Sequence, residues 1–158
     1  MKSYGGRTYK MEKQIVKFTK LDKSATVPVY GTPFAAGADL RALSDKNIKI
    51  EPGETVFVHT GLAMQIPDGL VGLIYARSGL ACKRGLAPAN CVGVIDSDYR
   101  GEIMVALHNY SNTAQEIEPN ERVAQLVIAP YIAAEFEEAE SLDDTIRGEG
   151  GFGSTGKK

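Results

Sequence analysis

The sequence predicts an all-β fold, a distorted jelly-roll barrel or sandwich, on three observations. Short runs rich in β-branched and aromatic residues recur at close, regular spacing. Gly and Pro turns cut them apart, as at Pro52-Gly53 and Pro67-Asp68-Gly69. Helical periodicity is poor everywhere except residues 78–83, which have room for a turn or two. At 158 residues, 43% of them apolar, the chain is read as one domain able to bury a core without disulfides.

In order, residues 1–12 are polar and Gly-containing and are set aside as an extension, with Met11 a candidate start. Strands are expected at 14–18, 26–29, 48–50, 55–59, 62–66 and 70–75, the last of them central. After the helical turn at 78–83 come strands at 92–95, 103–109, 115–117, 123–130 and 133–137. The jelly-roll domain so drawn covers 13–140, and a C-terminal arm ending in a Gly-rich lid covers 141–158.

Composition excludes several function classes. A net charge of -2 argues against wrapping nucleic acid but leaves room for one small anion. No apolar run approaches a membrane span or a signal-peptide core. Cys82 and Cys91 are too few for a disulfide framework, which points to a reducing cytoplasm, with nuclear or organellar sites left open, and to free thiols in or near the core. His59 and His108 stand far from any cysteine pair, so no zinc site follows, and any metal would be a hard cation on oxygen ligands. His108, inside an expected strand, reads as a structural histidine, and the acidic run 135–140 as a solvated face.

Polar stretches interrupt the β pattern, and they carry the chemistry. Residues 36–41, A-G-A-D-L-R, set the carboxylate of Asp39 among small residues. Residues 76–81, A-R-S-G-L-A, offer the forked cation of Arg77, the hydroxyl of Ser78 and the open backbone of Gly79, the parts of an anion site. The same run also reads as a helix start with Ser78 as N-cap. Residues 90–102, N-C-V-G-V-I-D-S-D-Y-R-G-E, form a hairpin or tight corner whose tip bears Asp96, Asp98, Tyr99 and Arg100. Residues 120–126, N-E-R-V-A-Q-L, bring Arg122 and Gln125 into an apolar strand. Residues 147–158, R-G-E-G-G-F-G-S-T-G-K-K, have no core pattern, yet their glycine N–H groups, Arg147, Ser154 and Thr155 suit a phosphate clamp. Two apparent nucleotide motifs in that tail fail. The G-x-G-x-x-G lacks a preceding strand and a following helix, and the G-x-x-x-x-G-K ends at Lys158 without a Ser or Thr.

In this order and spacing, the five stretches A-G-A-D-L, R-S-G-L-A, N-x-x-G-V-I-D-S-D-Y-R-G, E-R-V-A-Q and R-G-E-G-G-F-G-S-T-G resemble the five motifs of the homotrimeric dUTPase (dUTP pyrophosphatase) family. The resemblance runs from about residue 15 to the C-terminus. Two departures are slight: Ala76 where proline is usual, and Asn120 where glycine is usual, asparagine tolerating the same left-handed turn.

The resemblance implies hydrolysis of dUTP to dUMP and pyrophosphate, with Mg²⁺ held mainly by the triphosphate, which keeps uracil out of DNA and supplies dUMP for dTMP synthesis. It implies Asp96 as the base that activates water, and Asp39 reaching Mg²⁺ through water. Arg77, Ser78, Gly79 and Gln125 would bind phosphates and the attacking water, while Asn90 and the backbone at Gly93 read uracil. Tyr99 would pack on the sugar and exclude a 2′-hydroxyl. Arg147, Gly153, Ser154 and Thr155 would close on the γ-phosphate with Phe152 stacked over the base. A homotrimer with three shared sites is implied as well. The nearest rival, the dCTP deaminase branch, is similar in fold but uses a glutamate where this chain has Ala106. A trimeric regulatory module without turnover and a structural jelly-roll protein are the readings from other classes.

Overall fold

A computed structural model describes residues 13–151. They form twelve strands and one short helix in four small antiparallel sheets. The largest sheet has the order β2 (Val29–Tyr30), β3 (Ala38–Arg41), β12 (Arg122–Pro130), β7 (Leu70–Ala76), β9 (Gly93–Ile95). A second has β10 (Met104–Asn109) between β5 (Thr55–His59) and β8 (Leu86–Pro88). Two pairs complete the set, β1 (Lys17–Lys20) with β6 (Leu62–Gln65) and β11 (Gln115–Ile117) with β4 (Ile48–Ile50). One apolar core joins them, with Leu40, Ile50, Val58, Leu62, Leu107, Ile117 and Val123 fully buried. This is the all-β, jelly-roll-type fold expected. No helix among the described residues is long and apolar enough to cross a membrane.

Strands 48–50, 55–59 and 115–117 fall where the alternation put them, and most others shift by a residue or two at an end. β1 starts later than expected, and β7 is interior to its sheet without being its middle strand. Two strands were missed. β3 alternates buried Ala38 and Leu40 with half-buried Asp39 and Arg41, a period of two concealed by its polar residues. β8 reads L-A-P, and its proline is tolerated because β8 lies at a sheet edge. The strand expected at 133–137 is absent: the chain there has no pairing partner and is exposed, with Ile132 and Phe136 94% and 95% exposed. The helix α1 (Ser78–Arg84) runs one residue beyond the expected turn and stops at Gly85, left-handed at φ 66°. Its N-cap is extended Arg77 and not Ser78, and no side chain caps it.

Three further expectations are corrected or refined. Residues 90–102 are a corner and not a hairpin, because β9 pairs with β7 while β10 pairs with β5 and β8. Cys82 and Cys91 are exposed thiols, since each sits at a loop or helix face that turns outward in this chain. Asn120 does adopt the left-handed conformation, at φ 61°.

One buried polar side chain ties the sheets together. Asn109 donates through Nδ2 to the carbonyls of Ile50 (2.9 Å) and Thr113 (2.8 Å), and its Oδ1 accepts from Ser111 N–H (2.9 Å) and Oγ (2.7 Å). Asn109→Ala leaves those groups without their partner, so urea unfolding is expected to show a loss of about 1–3 kcal/mol.

Candidate active site

The site begins with β12, which is paired on both edges. Gln125 faces Asp39 of β3 on one side and Tyr75 of β7 on the other. Three of the polar stretches therefore meet at one end of the largest sheet. Gln125 Nε2 donates to the Ala76 carbonyl at 2.9 Å, and its side chain lies so close to Gly37 that a Cβ there would stand 2.6 Å from Oε1. Asp39 gathers two cations: Arg77 Nε donates to Oδ1 at 2.9 Å and Arg122 Nη1 to Oδ2 at 3.2 Å. Arg77 Nη1 also reaches the Arg122 carbonyl at 3.3 Å. Nε and Nη1 are thereby engaged, and Nη2 keeps donors for an anion. Ser78 and Gly79 there are exposed, at the first turn, where backbone N–H groups lack intrahelical partners.

The sequence reading gave Arg122 no role. It sits opposite Arg41 beside a bulge, a like-charged pair next to one carboxylate that only the strand register reveals. Among the described residues no group of three or more His, Cys, Asp or Glu side chains could hold a metal ion. Asp39 has both oxygens engaged, yet a carboxylate keeps further lone pairs for water. The residues fit a Mg²⁺ ion reached through its water shell and do not fit one enclosed by protein ligands.

The second part of the site lies around the corner. A cavity of about 220 Å³ is bounded by Asn90, Gly93, Asp96 and Tyr99 together with Phe57, Ile74, Pro88, Glu102, Met104 and Ala106. Gly93 is buried against Ile74, and its missing Cβ would stand 3.5 Å from Asn90 Nδ2, so the Asn90 amide lies against the bare backbone. Largely apolar walls with one amide and two carboxylates, Asp96 and Glu102, suit a single polar heterocycle. Phe57 and Met104 were not singled out from sequence, since an apolar residue in a strand gives no sign of which cavity it borders, and Glu102 was not, since its partners lie on a distant turn. A wider hollow of about 600 Å³, which includes Ser97, Asp98 and Tyr131, lies on the other side of Asp96. Asp96 is exposed on the wall between the two, and among the described residues no side chain binds its carboxylate.

The corner is held by its own hydrogen bonds. Tyr99 N–H donates to the Asp96 carbonyl (3.2 Å), and Arg100 Nη1 folds back onto the carbonyls of Ser97 (2.6 Å) and Tyr99 (2.9 Å). The hydroxyl end of the Tyr99 ring packs against Gly101, where an added Cβ would come 2.6 Å from Cζ. Its hydroxyl donates to the Glu102 carbonyl at 2.9 Å.

The two parts do not meet within one chain. Ile95 pairs with Gly72 and Gly93 with Ile74, so Asp96 lies beside Val71, at the start of β7, whereas Arg77 follows its end. Six residues at about 3.3 Å each separate those points by ~20 Å. Among the described residues, the Arg147 side chain donates to the Gly150 carbonyl at 2.7 Å. Phe152, Gly153, Ser154 and Thr155 lie outside the described residues.

Gly101→Ala is expected to displace the Tyr99 ring while leaving the fold intact, raising KM about 10-fold or more with a smaller effect on Tm. A pH effect follows from Glu102. Burial pushes its carboxyl up, but hydrogen bonds from His59, Gly61 N–H and Thr60 N–H outweigh that and hold it below its ordinary value. A carboxyl lowered in the fold stabilises it above the unfolded value and ceases to do so as pH falls through the folded one. The stability gap between this protein and Glu102→Gln is therefore expected to be full at pH 7 and to close as pH falls below the ordinary carboxylate range, read by urea unfolding at several pH values.

Comparison with known proteins agrees with this geometry. A profile of the family described as dUTPase matches residues 23–156. The deoxyuridine 5'-triphosphate nucleotidohydrolase of Acinetobacter baumannii is 51% identical over 140 residues, covering 88% of this chain and 93% of that one. The protein of the same name from Desulfitobacterium hafniense is 51% identical over 142 residues, covering 89% and 94%. Among solved structures, a G164S mutant of the Staphylococcus bacteriophage 80alpha dUTPase with dUpNHpp superposes with a TM-score of 0.82 at 28% identity, covering 91% of this chain and 99% of that one. The chain therefore belongs to the dUTPase family, and it is a hydrolase.

Proposed function

We propose that the protein hydrolyses Mg²⁺-bound dUTP to dUMP and pyrophosphate, in sites assembled from more than one copy of the chain. The observation that carries this reading is the pairing of a ring-sized cavity beside an unencumbered Asp96 with a separate cluster of phosphate donors. In the cavity, the Asn90 amide and the backbone at Gly93 read the uracil edge. Cytosine reverses donor and acceptor there, leaving buried polar groups unpaired, which is a strong basis for rejection. The thymine methyl group meets a closed wall, a weaker discrimination of about 1–3 kcal/mol. Tyr99, held against Gly101, takes the space of a ribose 2′-hydroxyl.

In the chemical step, Asp96 accepts a proton from water as its oxygen bonds to the α-phosphorus. The bond from that phosphorus to the bridging oxygen of the β-phosphate breaks, and pyrophosphate leaves. A positioned base supplies on the order of 10²–10⁴ in rate, and alignment and charge neutralisation supply the rest. Arg77, Ser78 and Gly79 bind α- and β-phosphate oxygens. Gln125, anchored on Ala76, holds the water and α-phosphate, and Asp39 meets the water shell of the substrate's Mg²⁺. Arg147, Gly153, Ser154 and Thr155 close on the γ-phosphate with Phe152 over the base, a lid that excludes water. Ala106 in the cavity wall leaves the deaminase chemistry without its carboxylate, which favours hydrolysis.

A base must stand within one water of the atom it serves. With ~20 Å between the Asp96 and Arg77 ends of β7, the two cannot serve the same α-phosphate in one chain. A homotrimer, each site drawing on its neighbours, resolves this.

Pyrophosphate release is expected from dUTP with Mg²⁺ and not from dTTP, dCTP, UTP or dATP, and is lost in Asp96→Asn. Equal turnover of UTP or dTTP would overturn the pocket assignment, and no release from any of them despite dUTP binding would move the protein to a regulatory module. Mixing inactive Asp96→Asn with inactive Arg77→Ala, after exchange of subunits, is expected to restore roughly a quarter of full activity, because a shared site can take its base from one chain and its arginine from another. No recovery in exchanged mixtures would overturn the shared site.

A further inference from the structure

Residues 96–102 carry the base and the ring over the sugar, yet no strand pairing holds them, because β9 and β10 enter different sheets. Their far end is fastened by Glu102. One carboxylate oxygen, Oε2, accepts from His59 Nδ1 at 2.8 Å, and the other, Oε1, accepts from Gly61 N–H at 2.8 Å. The carboxylate thus straps the corner to the turn between β5 and β6. That turn is itself firm: Thr60 is buried with its hydroxyl on the Ile103 carbonyl, and Ile103 N–H donates to the Leu62 carbonyl at 2.8 Å. Glu102 also holds Tyr99 from its other end, its carbonyl accepting the phenol at 2.9 Å. One residue therefore links a rigid turn, by side chain, to the ring of the site, by backbone.

We propose that Glu102, strapped by His59 and Gly61, is a positioning residue that sets the Tyr99 ring and with it the selection of deoxyribose over ribose. The inference rests on the reading above that Tyr99 faces the sugar. Without the strap the Glu102 peptide is held only by the Ile103 N–H on the Leu62 carbonyl, the residues before it lose their side-chain tether, and the ring, less firmly placed, no longer excludes a 2′-hydroxyl. His59 donates from Nδ1 whether or not its other nitrogen is protonated, so the strap does not need a charged imidazole.

The test uses the full chain with Glu102→Ala, Glu102→Gln and His59→Ala, beside a Tyr99→Ala control. Amide hydrogen exchange reports the strap, and the ratio of kcat/KM for dUTP to that for UTP reports the ring. Glu102→Ala is expected to speed exchange over 97–101 about 10-fold, with β7 and β12 unchanged, and to lower the dUTP-to-UTP ratio by about 10-fold or more, chiefly through KM for dUTP. Glu102→Gln is expected to keep most of the ratio, since its amide oxygen still accepts from Gly61 and its NH₂ can donate to the other imidazole tautomer. His59→Ala, a change at an exposed side chain, is expected to give a partial loss of the ratio and keeps the test decisive should Glu102→Ala not fold. Unchanged exchange over 97–101 in the folded variants overturns the proposal. Faster exchange with an unchanged ratio also overturns it. In that case a Tyr99→Ala control that loses selectivity places the fault in the strap, and one that keeps selectivity places it in the assignment of Tyr99 to the sugar.

Discussion

Strand β12 is bonded along both edges, to β3 through Asp39 and Leu40 and to β7 through seven consecutive residue pairs. Everything at the phosphate end of the site hangs on that double register. Side chains alternate across a strand, so a slip of one residue on either edge would turn Gln125 into the core and aim Leu126 at the ligand. With the register in place, Gln125 stands between Asp39 and Tyr75, and Arg77 leaves the end of β7 within reach of the Asp39 carboxylate. The bulge between Arg122 and Ala124 then lets the second guanidinium reach the same carboxylate. Two cations so close would repel in the absence of the ligand. Asp39 offsets that repulsion while leaving each fork with donors to spare.

The corner obeys a different logic. Where the phosphate end is a product of ladder register, residues 96–102 are shaped by side chain to backbone bonds and by one absent side chain. Gly101 has no Cβ, so the Tyr99 ring can lie on the main chain, and Arg100 spends its donors on carbonyls of the same loop. Glu102 supplies the link to the rest of the fold. The result is a loop with local rigidity and few attachments, suited to a wall that must fit a ring on one side and free a carboxylate on the other.

The separation of these two devices along β7 follows from the antiparallel pairing of β7 with β9. The polypeptide leaves β7 at its Arg77 end and returns along β9 toward the opposite end, so motifs adjacent in sequence finish far apart in space. On the proposed reading, a single chain supplies parts of two different sites, and the exposed apolar side chains of Ile132 and Phe136 lie outside its core.

Read alone, the residues determined a good deal. Period-two alternation and Gly-Pro turns placed most of the strands and the fold class, because both are local properties of backbone and side-chain geometry. The order of the polar stretches pointed to the family. Where local signals mislead, the cause is pairing. β3 was hidden by Asp39 and Arg41, whose polarity belongs to the site. β8 was hidden by a proline that only an edge position tolerates, and 133–137 has strand composition without a partner. Only the tertiary structure decided that 90–102 is a corner between sheets, that Asp39 holds both Arg77 and Arg122, and that Glu102 is strapped to His59 and Gly61. The contacts of Asp39 and of the Glu102 strap join residues at least 38 positions apart, and nothing in the sequence near either partner records the other.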